Sequence, residues 1–93
     1  MVVAVLTAEF RVPAAQSLKD KRSVVQSLVR RTAQRYRVSA AEVGHLDDVR
    51  RTEVAVAIVS GDGRHAEQVL QAALRFIETS YPVEYIGGGV EQR

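Results

Sequence analysis

Twice in this chain a run of alternating side chains gives way to a longer run whose apolar residues recur every three to four positions. That repeated change of period is what most limits the fold. Residues 2–12, VVAVLTAEFRV, set Val2, Ala4, Leu6, Ala8 and Phe10 on one face and Val3, Val5, Thr7, Glu9 and Arg11 on the other. This is the period of an extended strand. Pro13, which donates no ladder hydrogen bond, ends it. Residues 52–60, TEVAVAIVS, repeat the pattern, with Val54, Val56 and Ile58 against Glu53, Ala55, Ala57 and Val59.

Each strand leads into an amphipathic helix. Ser17 suits the N-cap, and Asp20 stands where a box-like return bond is made. The first helix runs to about Arg37. At 100° per residue, Leu18, Val25, Leu28, Val29, Thr32 and Tyr36 form the stripe that faces a core. Lys19, Ser23, Gln26, Arg30, Gln34 and Arg37 lie opposite, flanked by Arg22 and Arg31. Lys21 falls beside the apolar stripe, and the expectation is that its stem lies along the core edge with its head in water. Val38–Val43 reads as a second, weaker strand, followed by a polar connection from Gly44 to Arg51. Ser60 or Asp62 caps a second helix over about Arg64–Thr79, with Ala66, Val69, Leu70, Ala73, Phe76 and Ile77 on its inner face. Pro82 ends it. Val83–Ile86 reads as a short last strand, and Gly87–Gly89 as a flexible exit.

The order is βαββαβ in one domain spanning residues 1–93. It predicts an α+β, ferredoxin-like sandwich: a four-stranded antiparallel sheet with both helices on one face. The expected core is Val2, Ala4, Leu6, Phe10, Val25, Leu28, Val54, Val56, Ile58, Val69, Leu70, Ala73 and Ile77.

Much chemistry is excluded. The chain has no cysteine, so disulfides, thiolate metal sites and cysteine nucleophiles are absent. No apolar run approaches the ~20 residues of a membrane span. The segment Val2–Ala8 lacks a basic leader and meets Glu9 too early for a secretory signal, so the expectation is a cytoplasmic protein with no membrane contact. His45, Asp47 and Asp48 form only a loose cluster, whereas metal sites need three or four converging ligands. Ser60-Gly61-Asp62-Gly63 lacks the spacing of a phosphate-binding loop. No spacing identifies a catalytic triad. The expectation is a protein that is not an enzyme and needs no metal or cofactor.

Two surfaces remain. From Arg11 to Arg37 there are eight basic residues and one acid, Asp20, while the rest of the chain holds five basic and ten acidic residues. Such a segment attracts phosphates or acidic surfaces, or is simply a solvated helix face; the sequence leaves both open. On the first reading Lys19, Arg22, Arg30, Arg31 and Arg37 neutralise RNA phosphates, with Arg35 assisting. The second surface is the sheet face away from the helices. It offers Val3, Val5, Ala55 and Ala57 as the contact of a homodimer or a protein partner. It has no aromatic residue to stack a base, so contact with RNA is expected from the helix. A third reading places a small-molecule reaction at His45 and Asp47.

The segment Ser17-Leu18-Lys19-Asp20-Lys21-Arg22-Ser23-Val24-Val25 resembles the SLKEKR-SV signature of the YlxP-like family (DUF503) of small bacterial proteins. Asp20 stands where that family often has glutamate. Val38-Ser39-Ala40-Ala41-Glu42-Val43-Gly44 is similar to the family's VSVAEV strand, and Val54–Ser60 with Gly61-Asp62 resembles its strand before the second helix. The resemblance implies a ferredoxin-like fold and carries over no catalytic residue. The family's genes commonly neighbour those for transcription elongation and translation initiation factors and for ribosome-binding factor A, which implies by association a role near RNA or the ribosome.

Overall fold

The computed structural model describes residues 1–93. In chain order it contains β1 (Val2–Arg11), α1 (Leu18–Tyr36), β2 (Ser39–Gly44), β3 (Arg51–Ser60), α2 (Gly63–Ser80) and β4 (Glu84–Gln92). The strands form one sheet in the order β2-β3-β1-β4, and every neighbouring pair is antiparallel. Each βαβ unit is thus split by a strand of the other, as expected of a ferredoxin-like α+β sandwich.

The alternation in β1 and β3 decides which face the helices cover. Ala4, Leu6, Ala8 and Phe10 are buried, as are Val54 and Val56 opposite them. They pack with Leu28 of α1 and with Leu70, Leu74 and Ile77 of α2. Burying each of the valine, leucine, isoleucine and phenylalanine side chains among them stabilises by ~1.5–3 kcal/mol. Val2, Ile58 and Val69, expected in the core, are only half-buried. Val12, Ala15 and Val83, from the connecting segments, are buried instead.

Both helix starts follow the expected chemistry. Ser17 Oγ accepts from the Asp20 N–H at 3.0 Å, and the Asp20 carboxylate accepts from the Gln16 N–H at 3.1 Å. Asp62 caps α2 by accepting from the Arg64 N–H at 3.0 Å. At the other end of α1, Arg37 adopts a left-handed conformation (φ 54°) and its N–H bonds to the Ala33 carbonyl.

Two expectations are corrected. The last strand is not a four-residue remnant with a loose exit: β4 runs through Gly87, Gly88 and Gly89 and pairs along β1 from Arg11 to Ala4. Glycine reads as a breaker in sequence, but here the smallest residue is required. Gly88 has φ 153°, and a Cβ at that position would overlap the Thr7 carbonyl. The second correction is Lys21, whose side chain is wholly buried.

Candidate nucleic-acid interface

Lys21 lies on the inner side of α1, between the helix and the β2–β3 hairpin. Its ammonium donates to Glu42 Oε2 at 2.9 Å and to the carbonyls of His45 (2.8 Å), Leu46 and Arg51 (both 3.3 Å). An ammonium carries three protons, so four oxygens mean that one bond is shared. Glu42 Oε2 also accepts from the buried Thr52 hydroxyl at 2.7 Å. His45 takes a left-handed backbone (φ 55°) in the turn that supplies the first two of these carbonyls, while the third comes from the start of β3. The cage explains the correction: enough oxygens meet the charge to replace its water. It also removes Lys21 from any surface that meets a partner.

The other basic residues of α1 face outward. Lys19, Arg22, Arg30, Arg31 and Arg37 are all exposed. Arg22 lies 3.5 Å from the Asp47 carboxylate, an exposed pair of small energetic value. Lys19, Arg30, Arg31, Arg35 and Arg37 make no ion pair with any acid of the chain. Lys19 and Arg30 share the outermost face of the helix, and Arg37 stands just past its end. Arg31 is set apart from them and turns toward α2.

That turn creates a feature the sequence did not disclose. The C-terminal halves of α1 and α2 meet through aromatic rings. Tyr36 packs edge-on to Phe76 at 5.9 Å and donates its hydroxyl to the Ala72 carbonyl, and Phe76 packs edge-on to Tyr81 at 6.2 Å. Over these rings lie two guanidiniums. Arg31 is 5.4 Å from the Phe76 centroid and 5.5 Å from that of Tyr81, and Arg35 is 5.0 Å from Phe76. Arg31 also donates to the Tyr81 hydroxyl at 3.1 Å, the same oxygen that bonds Ser27 Oγ. Cation–π contact of this kind is worth ~0.5–1 kcal/mol at exposed sites and restrains the arginine. Arg31, Arg35 and Arg75 line an open groove of about 500 Å³ with Phe76 at its floor and Thr79 and Ser80 at its end. A second concavity, about 300 Å³, lies along α1 between Ser23, Gln26, Ser27, Arg30 and Arg31. The periodicity of the second helix places Phe76 on its inner face. Nothing local tells that α1 would bring two arginines beside it.

The sheet face opposite the helices carries the other expected surface. Val3, Val5, Ala55 and Ala57 are all half-buried there, with Val5 directly opposite Ala57 and Val3 opposite Val59. Val59 is 67% exposed. At one end of this sheet Glu9 lies 3.5 Å from His45 Nε2 and 3.4 Å from Arg51. No group of three histidine or acidic side chains is arranged to hold a metal ion, so His45, Asp47 and Asp48 do not come together as a ligand set. No helix is long and apolar enough to cross a membrane.

The fold and surface define a small ferredoxin-like α+β protein with an arginine-rich helical layer and a bare sheet face. The chain belongs to the family described as "Protein of unknown function (DUF503)", whose model matches residues 3–87. It is similar to the uncharacterized protein YlxP of Bacillus subtilis (strain 168), with 36% identity over 70 residues, which covers 75% of this chain and 76% of that protein.

Proposed function

We propose that this protein is a non-enzymatic accessory factor of the cytoplasm that binds RNA or the ribosome through the outer surface of α1. Lys19, Arg22, Arg30, Arg31 and Arg37 neutralise phosphates, largely without regard to sequence. The observation that carries the reading is the lack of acidic partners for the exposed cations of α1, Arg22 excepted. Surface arginines left unpaired by their own chain keep their full field for an outside anion. The gene neighbourhood implied by the family resemblance points the same way.

The test is a titration against ribosomal subunits and an unrelated RNA at several salt concentrations. Binding should weaken as salt rises, with log K falling by about 0.7 per log unit of salt for each single-strand phosphate neutralised. The double variant Arg30→Glu, Arg37→Glu should lose most of that affinity while keeping the wild-type fold. Unchanged affinity in this variant would remove α1 as the contact.

The exposed apolar centre of the sheet supports a second reading, self-association through Val3, Val5, Ala55 and Ala57. The 67% exposure of Val59 beside them favours it, since an apolar patch open to water marks an interface. Sedimentation tests it directly, and the two readings are compatible: a dimer joined by its sheets would present two basic helices.

A further inference from the structure

We infer that the groove between α1 and α2 is the seat of one RNA strand, with Arg31, Arg35 and Arg75 on its phosphates. The inference rests on the RNA reading above and extends it to a second helix, a defined groove and a substrate class, single-stranded RNA.

Three observations converge. First, the three guanidiniums line one groove and none of them pairs with an acid of the chain. Second, two of the three are held in place before any ligand arrives. Arg31 and Arg35 lie over Phe76, and the Tyr81 hydroxyl holds Arg31 by a hydrogen bond. An arginine already restrained loses less rotamer freedom on binding, and its planar fork matches phosphate oxygens. Third, Arg31 is shared between this groove and the neighbouring concavity that holds Arg30. Arg31 and Arg35 stand four residues, about 6 Å, apart along α1, so a strand meets a new positive step about once per turn.

Helices packed at roughly 8–10 Å between axes are in contact, so the groove is an open furrow on their outer surface. Its aromatic floor, Phe76, favours an unpaired strand. Unpaired bases stack on aromatic rings, whereas the bases of a duplex are turned inward. The sheet face, where ferredoxin-like RNA binders keep their aromatics, offers none here.

The experiment compares a labelled single-stranded RNA oligonucleotide, a hairpin duplex of matching composition, and inorganic pyrophosphate as competitor. Arg75→Glu changes the α2 side of the groove. Arg64→Glu makes the same charge change near the start of α2, away from the groove. Circular dichroism confirms the fold of each, since both side chains are exposed. We expect the single strand to bind more tightly than the duplex. Arg75→Glu should weaken single-strand binding about tenfold and flatten the salt slope by about 0.7, while Arg64→Glu stays near wild type. Equal effects of Arg75→Glu and Arg64→Glu would overturn the groove, as would duplex binding as tight as single-strand binding. Pyrophosphate binding that is lost in Arg75→Glu, without oligonucleotide binding, would make the occupant a small phosphorylated molecule and overturn the strand. Loss of affinity in Arg30→Glu, Arg37→Glu with none in Arg75→Glu leaves the α1 reading standing and rejects the groove. No RNA binding by the wild type rejects both.

Discussion

The ammonium of Lys21 lies 2.9 Å from Glu42 Oε2, and the lysine side chain has no exposure at all while that of Glu42 keeps 16%. The pair joins the first turn of α1 to β2 across the edge of the core. Removing one partner of a buried pair leaves a charge with its water already lost, a cost of ~3–5 kcal/mol. Lys21→Met should therefore destabilise by about that much in a chemical denaturation. The double variant Lys21→Met, Glu42→Gln should recover a large part of the loss. A double change that costs the sum of the two single changes would show that the residues are not coupled.

Thr32 gives a prediction of opposite sign. It is buried in α1, and its hydroxyl has no hydrogen-bond partner. An unsatisfied buried hydroxyl costs ~1–3 kcal/mol. Thr32→Val keeps the shape and removes the polar atom, so the denaturation midpoint should rise, by about 1 kcal/mol in stability. A fall would mean that the hydroxyl finds a partner in solution.

Gly88 ties β4 to β1. Alanine at that position meets both an unfavourable φ and the Thr7 carbonyl. Gly88→Ala should cost more than ~1 kcal/mol, and amide exchange should show the loosening in β4 first. Gly87 and Gly89 have open space where a Cβ would stand, so alanine at either should cost less than at Gly88.

The sheet face is tested by charge. Val5→Glu or Ala57→Glu places a carboxylate at the centre of the apolar patch, where the two residues sit directly opposite each other. Wild-type protein that self-associates through this face sediments above its 10.2 kDa chain mass, and either variant should return it to that mass. A sedimentation profile unchanged by both variants would reject the face as the contact.

The strands and helices with clean periods were legible because burial imposes its period directly on the residues. The alternation from Val2 to Phe10 named the covered face of β1, though the expected core counted Val2, which is half-buried, and passed over Ala8, which is buried. The Ser17 cap was readable for the same reason, since its chemistry lies within one turn. β4 was not, because three consecutive glycines carry no side-chain pattern, and their role is set by the neighbouring strand. Lys21 was misplaced because charge ordinarily outweighs position; its angle beside the apolar stripe was the correct clue. The exposed cations of α1 were found by counting charge. The groove was not, since Arg31, Arg35, Arg75 and Phe76 become neighbours only when two helices pack.

The caged ammonium gives adjacent positions of one short motif different freedom to vary. Lys19 and Arg22 face solvent and can exchange one cation for another with little consequence for folding. Lys21 cannot, because a guanidinium is too broad for a space closed by three carbonyls and a carboxylate. Its substitution also leaves the Glu42 carboxylate with the Thr52 hydroxyl alone as partner. Across relatives, these three positions are therefore expected to drift as a set, and a lineage that has lost the lysine should have replaced the glutamate as well.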